Sequence, residues 1–212
     1  MMPANNLVLD DVVVSLGQRE LARIDTVIAP GEIFTVMGPS GSGKSTLLAF
    51  VAGFLDPVFS ATGRVLCGVR DITDLPPDKR KVGLLFQDAL LFPHMSVGEN
   101  LMFAIRAGGT ATARRAACEE ALREAGLDGF FARDPATLSG GQKARAALMR
   151  ILLSEPDVLL LDEPFSRLDT ELRGQVRSFV FEEARSRKLP VLMVTHDRED
   201  AEAAGGPVLE LG

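Results

Sequence analysis

The chain has 212 residues, 46% hydrophobic and 25% charged, which is enough to bury the core of one large domain. Its net charge of −6 argues against a general nucleic-acid-binding protein. No apolar run approaches the roughly eighteen residues that span a bilayer, and Met1–Asp11 shows no secretory signal. We therefore expect a cytoplasmic chain whose two cysteines are reduced.

The N-terminal third alternates between β-rich and helical segments. Leu7–Ser15 and Leu21–Ile28 predict an antiparallel ribbon. Ile33–Met37 is almost continuously apolar, as in a strand buried on both faces. Thr46–Ala52 predicts a helix that ends at Gly53.

A second strand-rich stretch follows a long helical one. Val82–Phe86 predicts a buried strand, and residues 96–154 are mainly helical. The later apolar runs predict further strands, with an amphipathic helix between the first two: Val158–Leu161, Val191–Val194 and Pro207–Leu211. Strands that alternate with helices indicate a parallel sheet, so the helical stretch is interpreted as an insertion.

A glycine-rich loop joins the strand Ile33–Met37 to the following helix, in the pattern Gly-x-x-x-x-Gly-Lys-Ser. Its backbone N–H groups and the helix N-terminus would converge on phosphate oxygens, whereas a chance glycine-rich turn is the alternative. We expect Lys44 to reach the β- and γ-phosphates and the Ser45 hydroxyl to ligate Mg²⁺. The predicted nucleotide-binding residues of the loop are Gly38, Pro39, Ser40, Gly41, Ser42, Gly43, Lys44, Ser45 and Thr46.

Two carboxylates, Asp162 and Glu163, end a later apolar strand. At the carboxyl end of a parallel sheet they would lie beside the phosphate loop. Asp162 would then hold Mg²⁺ through its water shell, and Glu163 would orient or deprotonate the attacking water. An exposed acidic strand end would be the commoner explanation if the loop were absent.

The run Leu138–Gln142 reads Leu-Ser-Gly-Gly-Gln and precedes a predicted helix. Such a run arises by chance in on the order of one chain in several thousand. A hydroxyl, two glycines and a helix N-terminus suit a second phosphate-binding site. A phosphate loop and an acid pair would also suit a kinase or a small GTPase, but neither class carries this run. Together with the loop, it resembles the ATP-binding subunit of ABC (ATP-binding cassette) transporters.

The resemblance covers nearly the whole chain and implies several roles. It implies that Gln87 contacts Mg²⁺ and the attacking water, and that His196 contacts the γ-phosphate. It also implies that ATP joins two protomers head to tail, as a homodimer or a pair of ABC ATPases, with hydrolysis releasing them. The segment implied to hold the γ-phosphate of the other protomer comprises Ser139, Gly140, Gly141 and Gln142.

Three positions qualify this resemblance. Leu16 stands where the family commonly stacks an aromatic ring on adenine, so we expect ATP and GTP to bind within roughly tenfold of each other. Arg167 departs from the usual small or polar residue of a loop at the dimer interface, and we interpret it as exposed and inconsequential. The apolar segment Leu90–Met95 is either a groove for a membrane partner or ordinary core.

The overall expectation is an α/β fold. It has a P-loop NTPase core with a mostly parallel sheet, an N-terminal antiparallel β ribbon and an inserted α-helical subdomain. Residues 1–87 and 155–212 would form the ATP-binding core, and residues 88–154 the helical subdomain.

The segment from Arg80 to Asn100 is similar to bacterial importer ATPases for small solutes. This implies an ATP- and Mg²⁺-dependent ATPase at the inner face of the cell membrane. It would energise an integral permease, with or without an extracytoplasmic solute-binding protein, and would use no nucleic acid. The alternatives are an ABC ATPase of a lipoprotein-release, export or cell-division system, and a nucleotide-dependent binding module without turnover. Glu163 and His196 argue against the last.

Overall fold

A computed structural model describes residues 5–106 and 108–212, so the first four residues of the predicted core lie outside the described residues. The chain divides into two compact units. The first comprises Met1–Leu84, Asp157–Glu163 and Phe181–Gly212, and the second comprises Leu85–Pro156 and Pro164–Val180. This division differs from the predicted boundaries because residues 164–180 group with the helical segment; the predicted boundaries remain a prediction.

The first unit contains a four-stranded antiparallel sheet, in the order β2-β1-β4-β5. The ribbon predicted from the N-terminal sequence is present as its first two strands. A third strand was missed because its polar residues alternate with a glycine and small apolar residues, which weakens the apolar signal. The strands are β1 (Leu7–Leu16), β2 (Arg19–Ile28), β4 (Phe59–Cys67) and β5 (Arg70–Asp71).

The second sheet has five strands, in the order β6-β7-β8-β3-β9. The pairs β7–β8, β8–β3 and β3–β9 are parallel, as the alternation of strands and helices predicts. Because parallel strands end at the same edge, the residues that follow β3, β7 and β8 are brought together there. The strands are β3 (Ile33–Met37), β6 (Val82–Leu85), β7 (Val158–Asp162), β8 (Val191–Thr195) and β9 (Val208–Glu210).

Helix α1 (Lys44–Ala52) packs in the core of the first unit. Its side chains Leu47, Leu48 and Val51 join one buried cluster with the inward face of β1 and with residues of β7 and β8. The helix ends at Gly53, whose φ of 91° is one that a residue with a side chain rarely adopts. The first unit also contains α2 (Pro77–Arg80) and α7 (Arg198–Ala204).

The second unit is mainly helical. It contains α3 (Val97–Ala104), α4 (Ala111–Glu124), a short 3₁₀ turn (Pro135–Thr137) and α5 (Gly140–Leu152). Helix α3 packs on both α4 and α5. Helix α6 (Thr170–Ser186) begins in the second unit and ends in the first. Among the described residues, no helix is both long and apolar enough to cross a membrane.

Candidate nucleotide-binding and hydrolysis site

The glycine-rich loop runs from β3 to α1, and its conformation leaves no room for a side chain at Gly43. Gly43 precedes α1 with a φ of 91°, and a Cβ there would lie 2.7 Å from Cβ of Leu21. The buried Ser42 hydroxyl has no hydrogen-bond partner among the described residues. A buried donor that lacks a partner is unfavourable, so phosphate oxygens at this helix N-terminus fit the loop well.

The ammonium group of Lys44 is nearly buried and is held by the loop itself. Its Nζ donates hydrogen bonds to the carbonyl oxygens of Gly38 (2.7 Å) and Pro39 (2.8 Å). It also lies 3.9 Å from Oε1 of Glu163, and only 5% of its side chain is exposed. A buried cation so placed provides strong attraction for an anion that enters the loop.

Ser45 and Asp162 bring two oxygen ligands together where β7 meets α1. The Ser45 hydroxyl donates a 2.9 Å hydrogen bond to Oδ1 of Asp162. Burial raises the pKa of the Asp162 carboxyl, and the neighbouring Glu163 adds to the rise, whereas Ser45 and Lys44 oppose it. Because burial destabilises the charged form of a carboxylate, a nearby cation stabilises it. Ser45 and Asp162 are therefore suited to bind a metal ion.

Glu163 and His196 form the third part of the site. Nδ1 of His196 lies 3.1 Å from Oε2 of Glu163, and the Glu163 backbone N–H donates to the Val194 carbonyl. The φ of Glu163 is 44°, which is uncommon for a residue with a side chain. The structure therefore brings together the predicted residues that follow β3, β7 and β8.

The predicted second phosphate-binding segment lies in the second unit and forms the N-terminus of α5. The Ser139 hydroxyl accepts a hydrogen bond from the Gln142 backbone N–H, and Oε1 of Gln142 accepts one from the Ser139 N–H. This capping box satisfies two helix-end donors and holds the Ser139 hydroxyl at the helix end. At Gly141, a Cβ would lie 2.7 Å from Leu172, so a side chain would not fit without rearrangement.

Gln87, also in the second unit, borders a groove of about 150 Å³. Arg167 and Asp88 form an ion pair at this groove, with side chains that are 59% and 52% exposed. Arg167 is therefore exposed, as expected, and its interpretation as an inconsequential residue remains a prediction. Sequence analysis could not find the pair, because its members lie 79 residues apart. The groove is lined by Gln87, Asp88, Gly140, Lys143, Arg167 and Leu168, among others.

The apolar segment Leu90–Met95 is only partly buried. The Leu90 side chain is 54% exposed, and Phe92 packs edge to face against the exposed Phe103, with their ring centres 5.1 Å apart. The Arg150 guanidinium lies over the Phe92 ring at 5.3 Å and donates to the Leu90 carbonyl. The segment is therefore a surface feature of its unit rather than ordinary core.

Asn100 positions this segment, a role that sequence analysis missed. The residue is fully buried on α3, and its amide group donates to the carbonyl oxygens of Phe92, Met95 and Ser96. Its carbonyl oxygen accepts the Phe92 N–H at 2.8 Å. The sequence signal for this role was an asparagine among the apolar positions of a predicted helix, because a buried amide group must find hydrogen-bond partners.

Comparison with known families decides what kind of protein carries this site. The model of the family described as "ABC transporter" matches residues 21–166, which include the phosphate loop, the run Leu138–Gln142 and the acid pair. The chain belongs to the ABC transporter family. It has the P-loop NTPase fold of that family and is an ATP-binding protein and an ATPase.

Curated relatives support the same assignment. An uncharacterized ABC transporter ATP-binding protein, YnjD of Escherichia coli, is 51% identical over 87% of this chain and 85% of its own length. The thiamine import ATP-binding protein ThiQ of Cereibacter sphaeroides is 47% identical over 91% of this chain and 82% of its own. The Fe(3+) ions import ATP-binding protein FbpC of Brucella abortus is 40% identical over 89% of this chain but only 53% of its own length.

Proposed function

We propose that this ABC ATPase drives a membrane permease through ATP-dependent pairing of two subunits, in import of a small solute. The observation that carries the catalytic part is the cluster of Lys44, Ser45, Asp162, Glu163 and His196 at the N-terminus of α1. The cluster combines a phosphate-binding cation, two oxygen ligands and a carboxylate that can receive a proton.

Mg²⁺ is the metal that this cluster suits. The Ser45 hydroxyl and the Asp162 carboxylate supply oxygen ligands, and Gln87 is proposed as a further one. No group of three or more metal-binding His, Cys, Asp or Glu side chains is found within residues 5–106 and 108–212. A metal here would therefore depend on phosphate oxygens and water, which is how Mg²⁺ is commonly bound. When bound, it would neutralise charge on the phosphates.

The chain's own residues then have separate tasks. Lys44 holds the β- and γ-phosphates, and the loop N–H groups bind their remaining oxygens. Glu163 orients the attacking water and accepts its proton. His196 contacts the γ-phosphate and, through the 3.1 Å contact with Oε2, keeps the Glu163 carboxylate in place.

The segment Ser139–Gln142 is proposed to complete the site of a second copy. Its capped helix end offers a hydroxyl and backbone N–H groups, which suit the γ-phosphate of ATP held on the other protomer. Each ATP would thus be bound by two subunits in a head-to-tail homodimer or a pair of ABC ATPases. Hydrolysis removes the shared phosphate and with it the attraction between the subunits.

Import is supported by the relatives whose names state import of thiamine or Fe(3+). The exposed side chains Leu90 and Phe103 beside Phe92 offer an apolar surface for a cytoplasmic segment of the permease. The ATPase would then be held at the inner face of the cell membrane by that partner. An extracytoplasmic solute-binding protein would deliver the solute to the permease, and the proposed mechanism uses no nucleic acid.

The Glu163→Gln variant tests the paired mechanism. It keeps the size of the side chain but removes the proton acceptor, so ATP should bind, remain unhydrolysed and trap a dimer. Size-exclusion chromatography with light scattering, with ATP and Mg²⁺, should show a mass twice that of the monomer.

The control is Glu163→Gln combined with Lys44→Ala, which lacks the phosphate-binding cation and should remain monomeric. If Glu163→Gln bound ATP and yet stayed monomeric, the paired mechanism would be wrong while ATP binding stood. A membrane protein that co-purifies with the chain in mild detergent would identify the permease and separate import from export or lipoprotein release.

A further inference from the structure

A backbone turn that needs support lies close behind Gln87 in the chain. Its central residue, Leu90, has a φ of 44°, which is uncommon for a residue with a side chain. A backbone conformation of this kind persists only where the surrounding contacts fix it. Because only a short stretch of chain separates Leu90 from Gln87, the contacts that hold Leu90 also restrict where Gln87 can lie.

Arg150 of α5 supplies contacts on both sides of this turn. Its Nη1 donates a 2.9 Å hydrogen bond to the carbonyl oxygen of Leu90, and Nη2 lies 3.5 Å from the carbonyl oxygen of Ala89. The same guanidinium lies over the ring of Phe92 and donates to Oδ1 of Asn100 at 3.4 Å. One side chain of α5 thus holds the chain before, at and after the turn.

The guanidinium of Arg150 is committed to these acceptors. Burial lowers the pKa of Arg150, and no ion pair to its side chain is found within residues 5–106 and 108–212. A partly desolvated cation without a carboxylate partner depends on the carbonyl oxygens that it faces. Hydrogen bonds from a charged donor are about twice as strong as neutral ones, so Ala89 and Leu90 are held more firmly than by a neutral donor.

Helix α5 gives Arg150 a fixed position. It is a continuous helix of 13 residues that begins directly after its N-cap, Ser139. Within a regular helix, the positions of residues near the two ends are fixed relative to each other. The backbone that follows Gln87 and the segment Ser139–Gln142 are therefore attached to the same rigid element.

We propose that Arg150 is a positioning residue for ATP hydrolysis, which fixes Ala89 and Leu90 to α5 and thereby sets the position of Gln87. The inference rests on the proposed role of Gln87 toward Mg²⁺ and the attacking water. Arg150 acts only through the backbone and contacts neither the nucleotide nor the metal. Its loss should therefore slow hydrolysis while the phosphate loop continues to bind ATP.

Arg150→Met removes the guanidinium and keeps an unbranched side chain. We expect kcat of the ATPase to fall roughly 10- to 100-fold, as is common when a residue that orients a metal ligand is lost. KM for ATP should change little, because the phosphate loop is intact. The Mg²⁺ concentration that gives the half-maximal rate should rise, because a displaced Gln87 is a poorer ligand. Phosphate release measured against ATP and Mg²⁺ concentrations gives all three quantities.

Arg114→Met is the matched control. Arg114 belongs to the same unit, and its Nη2 also donates to backbone carbonyl oxygens, those of Met102 and Ile105. Its loss removes comparable hydrogen bonds at the end of α3 and none near Gln87, so kcat and the Mg²⁺ dependence should stay unchanged. An equal loss of kcat in this control would show a general effect of destabilising the unit and would overturn the inference.

Arg150→Lys tests the role of the guanidinium with a milder change. Lysine keeps the charge and can donate to the Leu90 carbonyl, but it cannot reach several acceptors with a planar fork. It should therefore recover part of the kcat that Arg150→Met loses. Circular dichroism shows whether each variant is folded, and Arg150→Lys replaces Arg150→Met in every comparison if the latter does not fold.

Gln87→Ala separates the explanations. If Arg150 acts through Gln87, the double variant Gln87→Ala/Arg150→Met should hydrolyse ATP no more slowly than Gln87→Ala alone. Losses of kcat that multiply would assign Arg150 to the scaffold and overturn the inference. A normal Arg150→Met beside an impaired Gln87→Ala would overturn it as well. A fully active Gln87→Ala would instead contradict the proposed role of Gln87, and the inference with it.

Discussion

The buried Arg80 side chain stabilises the C-terminal end of α1, the helix whose N-terminus carries the candidate nucleotide site. Its guanidinium is 4% exposed and donates to the carbonyl oxygens of Phe50 and Val51 at the C-terminus of α1. It also donates to carbonyl oxygens of Leu75 and Thr73. Burial lowers the pKa of this group, but backbone acceptors on several sides compensate its desolvation.

We expect Arg80→Met to destabilise the fold by about 2–4 kcal/mol, because helix-end carbonyls would be left buried without donors. Urea unfolding followed by circular dichroism measures the change. Lys79→Met is the matched control, since the Lys79 side chain is 68% exposed and its loss should cost less than about 0.5 kcal/mol. Equal stabilities for the two variants would show that the carbonyls find other partners.

Cys118 illustrates the effect of burial on a titrating group. Its side chain is fully buried, and burial raises the pKa of the thiol to about 11. The unfolded value is about 8.5, so the folded state holds the proton more tightly. This contribution to stability is complete below about pH 8.5 and is lost as the pH rises toward 11.

We therefore expect almost no alkylation of Cys118 by iodoacetamide at pH 8 in the native protein. Only about one thiol in a thousand would be ionised at that pH, and access is blocked as well. Mass spectrometry of native and guanidinium-unfolded samples makes the comparison, with both cysteines labelled only after unfolding. Rapid native labelling of Cys118 would mean that its surroundings open readily.

At the scale of elements, the helices of the second unit differ in how closely they are packed. A Cβ on Gly98, in the first turn of α3, would lie 2.4 Å from the Phe131 ring. At Gly174, within α6, a Cβ would meet nothing within 4 Å. The same substitution should therefore have opposite effects on the two helices.

We expect Gly98→Ala to destabilise the protein by about 1–3 kcal/mol, because the ring must move. Gly174→Ala should stabilise it by about 0.5–1 kcal/mol, since alanine favours the helix over glycine. Urea denaturation of the two variants beside the unmodified chain gives both values. Two changes of the same sign would contradict the packing described around α3 or the open surroundings of α6.

At this scale, long apolar segments are predicted well and weakly patterned ones are not. The strands β3, β7 and β8 follow directly from continuous apolar runs, because both faces of these strands are buried. Strand β4 has no such continuous apolar run, because the exposed residues Ser60, Thr62 and Arg64 alternate with its inward residues. It takes its place through pairing with β1, which a local pattern does not reveal.

At the scale of the whole molecule, the proposed mechanism requires two copies to share each ATP. Lys44→Ala should inactivate the phosphate loop, and Ser139→Asp should block the second-copy segment by repelling the γ-phosphate. Asp is a good helix N-cap, so this change should preserve the start of α5. Each variant alone should lack ATPase activity.

Mixing the two inactive variants should restore activity. A head-to-tail heterodimer has one doubly defective site and one intact site, so an equimolar mixture should recover about one quarter of the normal sites. Phosphate release measured across mixing ratios should peak near equal amounts. A flat, inactive series with heterodimers shown to form would indicate that each site lies within one copy or that both sites must be intact.

The sequence by itself determined which residues are proposed for nucleotide binding and hydrolysis: the phosphate loop, Asp162 and Glu163, His196, and the run Leu138–Gln142. It could do so because these residues follow strands or precede helices, where short-range patterns fix both the chemistry and the direction of the backbone. Membership of the ABC transporter family is predicted from the same motifs, and the family model matches most of the chain that carries them.

Only the tertiary structure placed Phe59 opposite Leu16, Arg80 beneath α1, and Arg167 against Asp88. The physical reason is the same in each case. These pairs lie far apart along the chain, and their contacts depend on strand register and on the packing of neighbouring elements, which the identity of single residues does not specify.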